Sequence, residues 1–291
     1  MQFIRRINNQ TLIRNGEQDS EIYGISYNSE SDELFVADCN NKVVRSIFLH
    51  DDFGEWRDVY RAQHDMLPDM PHTCIWSVCY MKDWDTLLVC SFESGPDQKS
   101  VHWLVAFKSI DSDWREVQRV QTKKNGDICC ALSDSLVLIG GSNSTYMELF
   151  RIECGPHIER VHLIHVPEEY YWFSSKCGSD TLVAMSYKDK SVRVHRLIGD
   201  RLEKLACIEL ACNEIKLLWL DSFDADLLIV SDWDDDKHSH AVVELELSGS
   251  RLERRSELIA SSEKINVRTW CAMDDFLVIV DSIGDLLDYS F

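Results

Sequence analysis

Six times along the chain, an acidic turn residue opens a short run of apolar, largely β-branched side chains. The runs are DELFVAD (32–38), DTLLVCS (85–91), DSLVLIGG (134–141), DTLVAMS (180–186), DLLIVSD (226–232) and DFLVIVDS (275–282). Each is too short for a helix to bury a face, and dense enough in Val, Ile and Leu to be a strand covered on both sides. One short element returning at intervals of several tens of residues predicts a repeat architecture.

The flanking segments recur as well. An apolar stretch precedes each run: IYGISY, IWSVCY, ICCAL, WFSSK, KLLWL and VRTWCAM. An alternating stretch follows (KVVRSIFL, SVHWLVAF, TYMELFRI, SVRVHRL, AVVELEL, DLLDYSF), and then a charged one (EWRDVYRA, DWREVQRV, HIERVHLI, RLEKLACI, RLERRSELI). With Asn, Asp, Gly and Ser between them, these read as four strands per unit. Polarity rises from the second strand to the fourth, as in a radial blade whose outermost strand alone meets water along an open edge. The prediction is an all-β chain folded as a single six-bladed β-propeller of four-stranded blades.

The sixth unit stops after its third strand. FIRRINNQTLI, near the N-terminus, has the charged alternation of a fourth strand, so the last blade is expected to be closed by the N-terminal strand. Equivalent first-strand positions are Tyr23, Trp76, Asp127, Trp172, Lys216 and Arg268, at intervals of 53, 51, 45, 44 and 52 residues. The path from Arg268 through Phe291 and round to Tyr23 adds 46, which matches the internal intervals and leaves no segment for a seventh blade. The expected blades span about 21–62, 74–121, 126–166, 171–210, 214–260, and 265–291 plus 2–14, a single domain over 1–291.

Residues 24–49, GISYNSESDELFVADCNNKVVRSIFL, resemble the NHL-type propeller repeat, which reads as apolar strand, acidic turn, L-x-V-A-D, then N-x-x-V. The match is partial at 226–232, where the run ends VSD, and elsewhere only the hydrophobic frame persists. The resemblance implies a six-bladed fold and leaves function open, because such propellers host both binding modules and hydrolases or lactonases. The WD-repeat signature is absent: no Gly-His opens a blade. Trp84-Asp85 and Trp233-Asp234 are expected in turns rather than at the end of a third strand.

Composition narrows the partners. Asp and Glu outnumber Lys and Arg by 50 to 30, a net charge of −20. That opposes attraction to nucleic acid or an anionic membrane, which needs clustered Lys and Arg. The start of the chain, MQFIRRINNQTLIRNG, has no apolar core of a secretory signal, and no run of about 18 apolar residues offers a membrane span. With 11 cysteines and no C-x-x-C pair, the expectation is a cytoplasmic protein with reduced, packed thiols. Cys74, Cys79, Cys90, Cys129, Cys130, Cys177, Cys207 and Cys271 lie in or beside apolar runs, where free cysteine acts as a small buried hydrophobe.

Candidate chemistry is sparse. A calcium-dependent six-bladed hydrolase or lactonase needs several oxygen ligands around a central cation. The inner positions offer one carboxylate, Asp127, and two cations; Glu21, Asn213 and Glu214 lie in nearby loops and keep this class as the alternative. DWDDDKHSH (232–240) lacks the Gly and closing Glu of a calcium loop and reads as a surface loop. His238 and His240 lack an identifiable third ligand. His162 and His165 belong to a solvent-facing outer strand. No Gly-x-Ser-x-Gly element is present, and neither a metal nor another cofactor is predicted.

The mouth of the ring is the better candidate. There the first strands place Tyr23, Trp76 and Trp172 with Lys216 and Arg268, and aromatic side chains beside cations are the stuff of peptide hot spots. The competing reading is that these residues plug and pack the central channel. Three loops join the same face: 62–73, which offers Met66, Leu67 and Met70 as adaptable apolar surface, 92–100, and 166–173. The reading is a non-enzymatic scaffold that binds a protein or peptide at the propeller mouth.

Overall fold

The computed structural model describes residues 2–7, 19–49, 56–62, 72–94, 100–123, 126–141, 144–153, 157–170, 172–175, 181–186, 191–209, 215–220, 227–234, 239–248, 251–261, 267–273, 276–281 and 286–290. Strand β1 (Gln2–Ile7) belongs with the C-terminal end of the chain. The first sheet is β2 (Ile22–Asn28), β3 (Glu33–Asp38), β4 (Val43–Phe48) and β5 (Arg57–Arg61). The second is β6 (His72–Met81), β7 (Thr86–Ser94), β8 (Ser100–Ile110) and β9 (Asp113–Gln121). The third is β10 (Ile128–Ser133), β11 (Leu136–Gly140), β12 (Ser144–Glu153) and β13 (His157–Tyr170).

Next come β14 (Trp172–Ser175), β15 (Thr181–Ser186), β16 (Ser191–Ile198) and β17 (Arg201–Glu209). They are followed by β18 (Ile215–Leu220), β19 (Leu227–Asp234), β20 (Ser239–Ser248) and β21 (Arg251–Ser261). The last sheet is β22 (Val267–Met273), β23 (Phe276–Asp281) and β24 (Leu286–Ser290), completed by β1 in the order β1-β24-β23-β22. Every described strand pair is antiparallel, and β1 runs along β24 from Gln2 opposite Ser290 to Ile7 opposite Leu286. The first strands touch in the order β2, β6, β10, β14, β18, β22, and β22 packs on β2. This is a propeller arrangement, with the two ends of the described chain paired in one sheet. Among the described residues no helix is long and apolar enough to cross a membrane.

The repeated apolar run is the second strand of each sheet, and in β3 and β7 it is buried on both faces. In β3, Leu34 and Val36 face one core cluster while Phe35 and Ala37 face another. In β7, Leu87 and Val89 join the cluster between the first and second sheets, and Leu88 and Cys90 the one between the second and third. Strict alternation would be wrong for such a strand, because each face meets a neighbouring sheet. The outer strand β9, by contrast, is mostly exposed or half-buried.

In the first two sheets the acidic residue that opens the run has a backbone reason. Asp32 and Asp85 sit at φ 52° and 43°, a left-handed conformation that short polar side chains tolerate best. Each also accepts a hydrogen bond from the tyrosine five residues earlier, Tyr27 Oη to Asp32 at 2.5 Å and Tyr80 Oη to Asp85 at 2.9 Å. Burial, with Asp85 beside it, pushes the Tyr80 hydroxyl well above its ordinary pKa.

Several expectations change. Trp84 closes a short 3-10 turn, with Asp85 at its C-cap, but Trp233 and Asp234 extend β19 rather than forming a turn. The segment 166–173 is mostly strand, because β13 continues to Tyr170 and β14 begins at Trp172. Cys74 is not a packed thiol: it is bonded to Cys39, whose turn in the first sheet lies beside the start of β6, with the two Cα atoms 4.8 Å apart. Periodicity assigns side chains within their own strand and carries no information on that proximity between sheets. Cys207 is exposed on the outer strand β17, while Cys90 and Cys129 are buried as expected.

Candidate functional site

Backbone irregularity sets the shape of the mouth. Residues in β2 pair regularly with β3 except that Ile22 faces Asp38 and Gly24 faces Ala37, leaving Tyr23 as the extra residue of a bulge. The same happens at Trp76 in β6, between Ile75 and Ser77, and at Arg268 in β22, between Val267 and Thr269. A bulge re-aims its side chain and breaks the ladder locally. These three strands are neighbours, β22 against β2 against β6. Trp172 and Lys216, at corresponding positions in β14 and β18, pair in regular register with Met185 and Ser231.

Gly24 explains why the first two bulges meet. A Cβ on Gly24 would lie 2.7 Å from Ser77 Cα and 3.1 Å from the Trp76 carbonyl oxygen. Only glycine lets β2 and β6 approach this closely. The approach brings the Tyr23 and Trp76 rings to a centroid distance of 4.6 Å, tilted by 56°. Trp76 in turn lies 5.9 Å from Phe92, and Phe92 stacks on His102 at 5.6 Å. Tyr23, Trp76 and Phe92 are each half-buried, so the strip keeps an open side.

Polar groups hold this strip at both ends. Tyr23 Oη donates to Glu21 Oε1 at 3.0 Å. Asp38, buried at the end of β3, accepts hydrogen bonds from Ser20 Oγ, the Glu21 amide, the Asn41 amide and Asn41 Nδ2, and from Arg45 Nη1 at 3.2 Å. Arg45 is itself fully buried and also pairs with Asp58. At the other end, His102 Nδ1 accepts the Gly126 amide at 3.3 Å and lies 4.0 Å from Asp127, while Nε2 meets Ser100 Oγ at 3.3 Å. Burial lowers the His102 pKa, against the pull of Asp127 and Glu148. The imidazole is held at both ring nitrogens, joining β8 to the Gly126 segment that precedes β10.

The predicted residues therefore divide. Tyr23 and Trp76 are in contact. Trp172, Lys216 and Arg268 stand on inner strands of the same ring, with Lys216 and Arg268 on the adjacent strands β18 and β22. Met66, Leu67 and Met70 lie outside the described residues, as do Cys177, Asn213, Glu214 and His238. His162 and His165 are exposed on β13, as expected of a solvent-facing outer strand. Phe92 belongs to the segment 92–100 expected as a loop of the mouth, but it lies within β7, which runs to Ser94; His102 and Cys39 are not among the predicted residues. Nothing local marks Cys39. Among the described residues no three or more His, Cys, Asp or Glu side chains are grouped to hold a metal ion.

No protein-family model matches the chain, and no curated protein sequence matches it. Solved structures do. Glucose dehydrogenase superposes with a TM-score of 0.64 at 9% identity, covering 96% of this chain and 99% of that one. A chain of the mitotic checkpoint complex gives 0.59 at 12%, covering 100% and 92%, and Sqt1 of Saccharomyces cerevisiae gives 0.55 at 9%, covering 100% and 99%. What they share with it is the propeller fold. At such identities the likeness speaks for the fold alone, and it does not single out the NHL type.

Proposed function

We propose that the chain is one six-bladed propeller of NHL-like type, and that it works in the cytoplasm as a non-enzymatic scaffold binding an extended peptide or partner loop at its mouth. The blades are those delimited in the sequence, with 2–14 completing 265–291. The observation that carries the reading is the half-buried strip Tyr23–Trp76–Phe92, assembled from two sheets through paired bulges. Large rigid aromatics gain contact area at low entropic cost. Trp172, Lys216 and Arg268 extend the surface around the ring, the two cations suiting a carboxylate of the partner, and Met66, Leu67 and Met70 supply its apolar margin. The likeness to a chain of the mitotic checkpoint complex favours protein binding, and the likeness to glucose dehydrogenase favours catalysis; at their identities neither decides.

Affinity capture from native extract, read by mass spectrometry, tests the scaffold. Trp76→Ala with Trp172→Ala should reduce recovery of the specific partner at least tenfold, the scale of a lost hot spot, with the melting temperature little changed. Full recovery by a normally folded double variant overturns the reading. A calcium-dependent rise in melting temperature would instead favour the hydrolase or lactonase alternative.

A further inference from the structure

We propose that the Cys39–Cys74 disulfide is a redox latch that fixes the Trp76 edge of the mouth. Its regulatory meaning rests on the mouth being the partner site; its effect on Trp76 does not. The bond joins two sheets at the place where the hydrogen-bond ladder is interrupted. Cys74 lies two residues before Trp76, which the bulge leaves out of register with β7. Cys39 lies in the turn after β3, and its amide donates to the Glu21 carbonyl at 2.9 Å. Glu21 is the residue that holds the Tyr23 hydroxyl. One covalent bond thus ties the segment bearing Trp76 to the segment bearing Tyr23, whose rings touch.

The two anchors of that bond are unequal. The Cys39 turn is secured without the sulfur: Asn40 Nδ2 donates to the Asp19 carbonyl, Asn41 to Asp38, and the Ala62 amide to the Lys42 carbonyl. Opening the bond leaves the first sheet in place and removes the covalent tie on β6 just before its bulge, where Ile75 is the last residue in register with β7 before Trp76. Access is unequal too, since Cys39 is half-exposed and Cys74 is 6% exposed. A thiolate of a dithiol reductant attacks Cys39 Sγ, forming a mixed disulfide and expelling Cys74 as a thiolate that takes up a proton. The reductant's second thiol then displaces Cys39. Two electrons and two protons reach the protein, and the dithiol becomes its cyclic disulfide. In the reducing compartment proposed above, such a bond is transient and signals oxidation rather than serving as a permanent staple.

The full chain, equilibrated in oxidised or reduced glutathione buffer, is blocked with N-ethylmaleimide, digested and analysed by mass spectrometry. A Cys39–Cys74 linked peptide is expected from the oxidised sample, and alkylation of all 11 cysteines in both samples overturns the latch. Acrylamide quenching of tryptophan fluorescence should rise on reduction with dithiothreitol. That rise should vanish in Trp76→Phe, and in Cys39→Ala, which alters only a half-exposed turn residue. Equal quenching in both states overturns the proposal even where the linked peptide forms. Partner capture separates the two readings. Recovery that Trp76→Ala abolishes but reduction leaves unchanged removes the latch and keeps the mouth. Recovery indifferent to Trp76→Ala removes the mouth, while the linked peptide and quenching still decide whether the bond holds Trp76.

Discussion

The mouth has two unlike sides. On β22, β2 and β6 the inner strand bulges at the position that carries Arg268, Tyr23 or Trp76, whereas on β14 and β18 the corresponding Trp172 and Lys216 stay in regular register. Both sides derive from the same repeat, so the difference is local. On the bulged side the chain gives up ladder hydrogen bonds and compensates with a buried polar hub around Asp38, a close glycine contact and a disulfide between sheets. A repeat fold needs regular strands to stack its sheets. Breaking the register in adjacent strands and then securing the break is how such a fold acquires one distinctive sector.

The largest expected effect follows from the hub. Asp38→Ala removes one of the two carboxylates, Asp38 and the partly exposed Asp58, with which the fully buried Arg45 forms ion pairs. Removing one member of a buried pair costs about 3–5 kcal/mol, read as a lower urea midpoint with unchanged slope. Glu148 is the matching carboxylate on β12, accepting Arg160 Nε and the Lys123 amide, but Arg160 reaches solvent. Glu148→Ala should cost less, about 1.5–3 kcal/mol. Equal losses in the two variants would mean that the bulged side relies on its polar hub no more than its neighbour does.

These differences explain how much was legible. The repeated apolar runs, and the acidic openings at Asp32 and Asp85, follow from local rules, because burial on both faces and a left-handed turn each act on adjacent residues. Pairing of the N-terminal strand with β24 was legible from the missing fourth strand. Tyr23 and Trp76 emerged as equivalent positions, yet their contact depends on Gly24, whose role is visible only against Ser77 of another sheet. The Cys39–Cys74 bond likewise joins two sheets and no periodic pattern encodes it, whereas Phe92 and His102 are cross-strand partners of the adjacent strands β7 and β8. Trp233-Asp234 and 166–173 differ from expectation because charged and aromatic residues that suggest a loop here continue the backbone ladders of β19 and β13.

Acid titration sharpens the comparison from the regular side. His195 on β16 is buried, and burial, with Arg193 and Lys204 beside it, lowers its pKa from 6.5 to about 4. The unfolded chain takes up a proton near pH 6.5 that the folded chain refuses until about pH 4. Its contribution is therefore fully present above pH 6.5 and is lost as pH falls through that window, reaching about 3 kcal/mol of destabilisation near pH 4. His102, on β8, is lowered in the same direction. Chemical denaturation at pH 7 and pH 4.5 should show His195→Gln removing more of the pH dependence than His102→Gln. The reverse order would place the acid-sensitive post beneath the bulged side instead.

The smallest effects come from single methyl groups. Gly24→Ala puts a Cβ within 2.7 Å of Ser77 Cα and 2.9 Å of the Val78 amide nitrogen, both backbone atoms that cannot rotate away. The strands must separate, at a cost of about 1–3 kcal/mol, and the Tyr23–Trp76 contact should loosen with them. Gly199, in the turn after β16, sits at φ +61° with nothing within 4 Å of an added Cβ. There an alanine meets only the left-handed backbone penalty, about 1 kcal/mol. Melting curves give both costs, and tryptophan quenching supplies the second measurement. Gly24→Ala should raise quenching and Gly199→Ala should not, since only the former glycine sets the spacing of the aromatic strip. If both variants lose stability but neither alters quenching, the close approach of β2 and β6 serves packing alone, and the bulges must hold Tyr23 and Trp76 together without it.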